Sequence, residues 1–427
     1  MAQLSIHFTS DDLSIIGLCQ DYWALSDTGK WQYTVAEIAR LHGMRAHIVS
    51  QVVKTSAYVL VPSQRCRECD APYQAYVRTD LPQGNPGSGA TKPFVCAQCR
   101  QEAKDQAAAQ RRAAQEEATK QVELFRSRLR ASYEDELSNA IPVNALTAEQ
   151  RIILLALFKH SGSESLDGIE PLGSNKVDVF SPSNDMSWEM LNQLRNAALL
   201  RVSHRSPEGT LVVDEDGGRF FPFNVRWEVL VRQPDDEGCV GEIDLPATFH
   251  LLNLHVASSE FRSKAWGGVE RLAQKIVQEE ALVFLNLSLE RRGFPERDGE
   301  KTLSTLADAL CHFSLSQVFW IITNQIRHVS DKYRQGLSQG RPHASNQVIS
   351  GIARYIERAL ANEWDVTHFK RDYELPQSVL SRVVFNHILK TDDGGFHTNL
   401  RELFSRYDDY TQYQEQLLAK MELDCPF

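Results

Sequence analysis

The chain has 427 residues, with 46 Lys or Arg, 56 Asp or Glu and a formal net charge of −10. This length predicts roughly two to four domains, and the acidic balance excludes a protein that coats nucleic acid non-specifically over its whole surface. The acidic excess is confined to residues 145–427, because residues 1–144 carry 16 basic and 16 acidic side chains. The N-terminus lacks the features of a signal peptide, and no apolar run reaches the roughly 18 residues of a membrane span. We therefore predict a cytoplasmic protein.

The first predicted module has two short helices on either side of Gly43. Thr34 and Glu37 form a capping box that starts the first helix. Gly43 provides the positive φ that a tight turn between helices needs. The residues expected to face the core have helical spacing: Ile38, Ala39, Met44, Val49 and Val52.

This spacing resembles the helix-turn-helix family, which binds DNA by placing its second helix in the major groove. The resemblance implies a helix-turn-helix domain over residues 1–62, with 57–62 as a wing strand. His42 departs from the family pattern, which has an apolar residue there. The alternative is a helix pair that contacts only protein. The candidate DNA-binding residues, including two on the next module, are Arg45, His47, Ser50, Gln51, Lys54, Arg65 and Arg67.

Four cysteines follow in two C-x-x-C pairs, Cys66 with Cys69 and Cys96 with Cys99. Two such turns can close a tetrahedron around one zinc ion. The pattern resembles the zinc-ribbon family over residues 63–100 and implies a structural Zn²⁺ with all four coordination positions filled. The interval is longer than the usual roughly 15–20 residues. A Gly/Pro/Ser-rich loop at 81–93, between strand-like runs at 73–78 and 93–95, accounts for the excess. A redox pair or two disulfides are weaker alternatives in a reducing compartment.

A long helix is predicted over residues 100–139, within a linker at 101–143 that is rich in Ala, Gln, Glu, Lys and Arg. Its apolar residues recur at steps of three, four or seven. Such a stripe can pair as a coiled coil and hold a homodimer together. The alternative is a spacer helix. The stripe consists of Ala103, Ala107, Ala114, Ala118, Val122, Phe125, Leu129, Tyr133 and Leu137.

Residues 144–242 are predicted to form a winged-helix-like domain. Thr147 and Gln150 make a second capping box, and an amphipathic helix follows at 187–198. Runs at 200–204 and 211–214 are expected to pair as a hairpin, with a further strand within 219–231. The candidate wing carries three acidic residues, which would repel phosphate and favour a protein contact. These residues are Asp214, Glu215 and Asp216.

Residues 243–427 are predicted to form a helical domain that serves as an effector, a sensor or an oligomerisation unit. Helical periodicity is present in five segments: 259–288, 302–336, 346–362, 377–389 and 399–413. The densest apolar stripe, which begins at Leu306 and ends at Ile326, indicates buried helix packing rather than a cofactor site.

No enzyme activity is assigned. The chain has no phosphate-binding G-x-x-x-x-G-K-[ST], no H-E-x-x-H and no G-x-S-x-G. Paired Arg and His side chains suit a ribonuclease, although basic residues near a helix C-terminus also interact well with its dipole. These residues are Arg327, His328, Arg334, Arg341 and His343. A metal site at Asp185, Asp214 and Asp216 is weighed against an ordinary solvated acidic loop.

The sequence thus predicts a mostly α, multidomain protein with five segments: a helix-turn-helix domain, a zinc ribbon, a linker helix, a winged-helix-like domain and a C-terminal helical domain. The expected function is that of a zinc-stabilised DNA-binding regulator, or a recognition subunit of a larger assembly such as a mobile-element or phage-defence system. The expected partners are double-stranded DNA and a protein, or a second copy bound through residues 101–143 or the C-terminal domain. The alternatives are an adaptor that binds only proteins and a helical-domain ribonuclease.

Overall fold

The computed structural model describes residues 4–81, 94–214, 217–234 and 241–423. The chain is mostly helical, with 60% helix and 10% strand, which confirms the predicted mostly α class. It divides into two compact units, Met1–Thr119 and Lys120–Phe427. None of the helices in the described residues is long and apolar enough to cross a membrane.

The first unit combines three short helices with a three-stranded antiparallel sheet in the order β1-β2-β3. Its elements are β1 (Ser5–Phe8), α1 (Leu13–Trp23), α2 (Val35–Leu41), α3 (Ala46–Ser56), β2 (Ala57–Arg65) and β3 (Pro72–Ala75). The sequence patterns predicted neither β1 nor α1. The expected strand at 73–78 is shorter, because residues Arg78–Asp80 form a 3-10 turn.

The predicted turn between two helices is confirmed. Thr34 and Glu37 form the capping box that opens α2, and Gly43 has a φ of 64°. Ile38, at 0% exposure, faces the core as expected. In α3, however, the fully buried partner of Val49 is Val53 rather than Val52, which is half-buried. Val53 lies about one helical turn after Val49, so the two side chains share the face of α3 that is packed in the core.

One hydrophobic core joins the helices of the first unit to its sheet. Trp23 from α1, Val53 from α3 and Val59 from β2 are all at most 2% exposed and belong to the same cluster. The predicted boundary between residues 62 and 63 falls within β2, so the strand that follows α3 continues directly into the first cysteine turn.

Helix α4 (Ala97–Ser138) confirms the predicted long helix. Residues 100–121 are exposed on all sides. Farther along, Val122, Phe125 and Leu129 pack against the core of the second unit. This half of the predicted stripe is therefore half-buried against the chain itself, and the alanine half is the part left exposed for a coiled-coil partner.

Helices surround a large core in the second unit, whose described residues also form three two-stranded sheets. Its first elements are β4 (Ile141–Pro142), α5 (Ala148–Ser161), α6 (Asn184–Asn196), β5 (Leu200–Val202), β6 (Leu211–Asp214), β7 (Gly217–Phe220), β8 (Trp227–Val229) and β9 (Val231–Arg232). The capping box at Thr147 and Gln150 is confirmed.

The predicted pairing of the runs at 200–204 and 211–214 is wrong. Strand β5 pairs with β8, and β6 pairs with β7. The reason is burial: Leu200, Val202 and Trp227 are at most 7% exposed, so β5 and β8 lie in the core together. Glu215 and Asp216 of the predicted acidic wing lie outside the described residues.

The remaining helices are α7 (Leu245–Val256), α8 (Ser259–Glu290), α9 (Glu300–His312), α10 (Leu315–Arg334), α11 (Arg341–Ala361), α12 (Val379–Arg382), α13 (Gly394–His397), α14 (Leu400–Ser405) and α15 (Asp408–Leu423). The sequence patterns did not predict α7. The segment expected as one helix at 302–336 is two, because Ser314 and Gln317 form a capping box that starts α10. Elements on both sides of the predicted boundary at 242/243 share the same core, and the winged-helix assignment stays a prediction.

Candidate metal centre and helical surface

Four thiols converge at the junction of β2, β3 and α4. The Sγ atoms of Cys66, Cys69, Cys96 and Cys99 all lie within 4.8 Å of one another. The Sγ atoms of Cys69 and Cys96 are 3.7 Å apart, which is too far for a disulfide, and all four cysteines are free. Among the described residues, no other group of three or more His, Cys, Asp or Glu side chains converges in this way.

The first pair of cysteines is placed by the turn that follows β2. The amide of Cys66 donates to the carbonyl of Ala71 at 2.8 Å, and the amide of Asp70 donates to the carbonyl of Cys66 at 3.0 Å. Asp70 closes this turn with a φ of 60°, a left-handed conformation that Asp tolerates better than most residues. Its carboxylate accepts a hydrogen bond from Arg65 at 2.6 Å.

The second pair is placed by the start of α4. Phe94 forms a bridge to Cys66, and its carbonyl accepts from the amide of Arg67 at 3.2 Å. Cys96 immediately precedes α4, and Cys99 lies in its first turn. The helix N-terminus carries a partial positive charge, which favours thiolates at both positions.

The electrostatics of the cluster suit a bound cation. The amide of Cys96 donates to Sγ of Cys66 at 3.3 Å and lowers the pKa of that thiol to about 6. The adjacent thiols of Cys69 and Cys96 raise the pKa of the Cys99 thiol. Neighbouring thiols therefore oppose further ionisation, and a divalent cation would remove this opposition.

The spacing of the sulfurs also suits a tetrahedral metal ion. Metal–sulfur bonds of about 2.3 Å place the sulfurs of a regular tetrahedron about 3.8 Å apart. The Cys69–Cys96 distance of 3.7 Å matches this value, and none of the other pairs is more than 4.8 Å apart. The four cysteines can therefore hold a metal ion.

Helix α3 presents the predicted DNA-binding residues on one surface. Arg45, His47, Gln51 and Lys54 are exposed, whereas Ser50 is half-buried. His47, Gln51 and Lys54 follow one another at steps of four and three residues, so these three side chains share one face of α3. None of the acidic residues in the chain falls between residues 38 and 67. The structure brings these side chains together on the side of α3 opposite the buried Val49 and Val53.

The two arginines near the first cysteine turn differ from each other. Nη1 of Arg65 lies 2.6 Å from Oδ2 of Asp70, so this side chain is engaged within the turn. Arg67 is exposed, and no side-chain partner is recorded for it among the described residues. Arg67 is thus better placed than Arg65 to contact another molecule.

Two further interactions hold this helical surface, and sequence patterns did not identify them. Nε2 of His42, the residue that departs from the helix-turn-helix pattern, lies 2.9 Å from Oδ2 of Asp21 on α1. Arg78 donates to the backbone carbonyls of Tyr22 and Tyr33. The unusual polar residue at 42 was the only available signal, because its partner is distant in sequence.

The residues considered for catalysis are placed along the α10–α11 pair. Arg327, His328, Arg334 and Arg341 are exposed, as is His343, whose Nε2 lies 2.9 Å from the side-chain nitrogen of Gln347. Asp185 lies in the first turn of α6 and Asp214 ends β6, whereas Asp216 is outside the described residues.

Comparison of the chain with family models, with curated proteins and with solved structures found no match.

Proposed function

We propose that the first unit is a DNA-binding module of the helix-turn-helix type that a structural zinc ion stabilises. In this proposal α2 and α3 form the helix-turn-helix, β2 and β3 form its wing, and α3 enters the major groove of double-stranded DNA. The observation that carries the proposal is the exposed polar and basic face of α3, formed without any acidic side chain. The protein then acts as a regulator or as the recognition subunit of a larger assembly.

Each polar residue on α3 has a role in this proposal. Arg45 and Gln51 have the hydrogen-bond donors that suit base edges in the major groove. Lys54, Ser50 and, in the adjacent turn, Arg67 suit phosphates. His47 lies one helical turn before Gln51 and contacts the same groove.

The metal centre has a structural role in the proposal. Cys66, Cys69, Cys96 and Cys99 would hold Zn²⁺, whose preferred thiolate geometry their spacing matches. Four protein ligands leave no position for a reactive water. The ion would instead fix the turn after β2 to the start of α4, and so fix the strand that leaves α3.

Metal content gives the first test. We expect one zinc ion per chain by mass spectrometry of the purified protein, and loss of that ion in Cys99→Ser. Cys311→Ser is the matched control, because Cys311 is an exposed cysteine outside the cluster. Iron in place of zinc, or equal zinc in both variants, would contradict the assignment.

DNA binding gives the second test. The zinc-loaded protein is titrated against mixed-sequence duplex DNA at 50 and 200 mM salt. With about three phosphate contacts, the affinity should fall roughly 40-fold between these conditions. Arg45→Glu/Lys54→Glu should abolish binding, whereas Arg111→Glu/Arg112→Glu, which makes the same charge change on the exposed part of α4, should not. No binding by the wild type at 50 mM would favour the adaptor function instead.

A further inference from the structure

A small cavity in the second unit lies between α8, α10 and the segment that precedes α12. Its volume is about 80 Å³. At about 30 Å³ per molecule in the liquid, this space corresponds to roughly three water molecules, so it suits a ligand of about four non-hydrogen atoms. Most of the wall is apolar, with Val283 from α8 and Phe319 from α10. Three charged side chains also line the cavity: Glu280, Arg371 and Glu374.

Arg371 serves two carboxylates unequally. Its Nε and Nη2 donate to the two oxygens of Asp393 at 2.8 and 2.9 Å, which makes a bidentate pair. Its Nη1 donates to Oε2 of Glu280 at 2.8 Å. One guanidinium group therefore faces two carboxylates, and Glu280 receives a single hydrogen bond from it.

The second oxygen of Glu280 is left without a donor. Glu280 is only 7% exposed, and its Oε1 accepts no hydrogen bond of normal geometry from another described residue. Burial raises the pKa of this carboxyl against the opposing effects of Arg371 and of the Ser381 hydroxyl, which is itself buried. A buried carboxylate oxygen in this state is costly, and a hydrogen-bond donor within the cavity would remove the cost.

Carboxylates outnumber cationic groups around the cavity. At its exposed end, Glu374 lies 3.0 Å from Arg291, whose guanidinium group also lies 2.6 Å from Asp372. Two carboxylates thus share one arginine at this end as well. Lys370, an exposed residue outside the cavity lining, leaves the carboxylates in excess when it is counted with them. An excess of negative charge beside a small apolar space favours a small cation.

Backbone hydrogen bonds hold one wall of the cavity in place. The amide of Val379 donates to the carbonyl of Val179 at 2.9 Å, and the amide of Leu380 donates to the carbonyl of Phe180 at 2.9 Å. A π-helical turn, Val383–Ile388, follows directly after α12. Such turns are rare and are found frequently at functional sites. The wall is therefore formed by the chain itself and needs no ligand to create it.

We propose that this cavity binds a small alkylammonium ion. The ammonium group donates to Oε1 of Glu280, and the alkyl chain packs against Val283 and Phe319. Binding provides the positive charge that one guanidinium group shared between two carboxylates lacks, and it covers apolar wall. The site lies within the second unit and goes beyond the DNA and zinc binding proposed for the first.

The test titrates n-propylammonium chloride into the complete 427-residue chain at constant ionic strength and follows saturation transfer to the ligand protons by NMR. For a ligand of this size the Kd is no less than about 0.04 mM, so the titration extends to about 20 mM. 1-Propanol, the neutral analogue, should bind about tenfold more weakly or worse, because it lacks the charge-assisted hydrogen bond.

Two matched variants locate the site. Glu280→Gln keeps the size of the side chain, removes its charge and should weaken propylammonium binding about tenfold or more. Glu279→Gln is the control, because Glu279 is half-exposed and does not line the cavity, and it should bind like the wild type. If Glu280→Gln lowers the melting temperature, Val283→Phe fills the cavity without changing the ion pairs and should also block binding.

A parallel titration with Nα-acetyl-lysine methylamide separates two sources of the ammonium group. Binding tighter than that of propylammonium indicates a lysine side chain of a partner, and weaker binding indicates a free amine; both agree with the proposal. The proposal is overturned if propylammonium shows no saturable binding to the wild type or if 1-propanol binds as tightly. It is also overturned if Glu280→Gln and Val283→Phe both bind like the wild type.

Discussion

Replacing Arg78 with leucine should destabilise the contact between the hairpin of the first unit and helices α1 and α2. Nε of Arg78 donates to the carbonyl of Tyr22 at 2.7 Å, and Nη1 donates to the carbonyl of Tyr33 at 2.8 Å. The guanidinium carbon also lies 4.6 Å from the ring centroid of Tyr22 and 4.4 Å from that of Trp31. One side chain in the 3-10 turn after β3 thus joins the end of α1 to the segment that leads into α2.

The expected loss follows from these contacts. A hydrogen bond from a charged donor contributes about 1.5–3 kcal/mol, and each cation–π contact contributes about 0.5–1 kcal/mol. Burial opposes this gain, as the lowered pKa of Arg78 indicates. Because all contacts share one guanidinium, they are not additive, and we expect a net loss of about 3 kcal/mol. This corresponds to a roughly 100-fold change in the local opening equilibrium.

Hydrogen exchange followed by mass spectrometry can measure this change within the complete chain. Amides of α1 and α2 in Arg78→Leu should exchange about 100-fold faster, while those of the second unit stay unchanged. Arg78→Lys should give an intermediate rate, because an ammonium group cannot form the planar fork that reaches both carbonyls. Arg40→Leu, a change at an exposed arginine of α2, is the control. Equal protection of α1 in Arg78→Leu and Arg40→Leu would refute this reasoning.

Two further predictions concern the second unit. Arg371 lies 2.8 Å from both Glu280 and Asp393, so Arg371→Met should leave the buried carboxylate of Glu280 unpaired. We expect a cost of about 3–5 kcal/mol in urea unfolding, and a loss below about 1 kcal/mol would contradict this. The hydroxyls of Ser163 and Ser165, with Arg226, lower the pKa of Asp167 to about 2. Its stabilising effect should be present above the unfolded pKa of about 4 and decline toward pH 2. Asp167→Asn should therefore have a flatter acid-unfolding profile, and an unchanged profile would exclude this role.

Structural features that depend only on residues close together in the sequence were predictable. The capping boxes at Thr34 and Thr147 and the turn at Gly43 depend on residues within four positions of one another, and all three are confirmed. The convergence of the four cysteines was also predictable, because two C-x-x-C turns separated by a hairpin are a pattern typical of a metal site. The DNA-binding role of α3 stays a prediction.

Features that depend on distant partners were not predictable. The runs that became β5 and β6 have similar strand patterns, and β5 pairs with β8, a strand that follows both runs in the chain. His42 looked like an exception to a pattern until its partner Asp21 was known. The break between α9 and α10, in contrast, does not depend on a distant partner. Ser314 and Gln317 form a capping box that local rules can identify, but the apolar stripe continues across it and favoured a single helix.

The position of the cysteine cluster indicates how the proposed metal ion would stabilise the first unit. The core of the first unit is formed by three short helices and a three-stranded sheet, and residues 100–121 of α4 are exposed. A small core of this kind gives limited stability, and metal ligation is a common supplement. The cluster joins the turn after β2 to the first turn of α4, while Arg78 joins β3 to α1 and the start of α2. In the proposed function, a bound metal ion would hold one end of the hairpin that follows α3 and Arg78 would hold the other, so loss of the ion should disturb α3 although the four cysteines lie outside that helix.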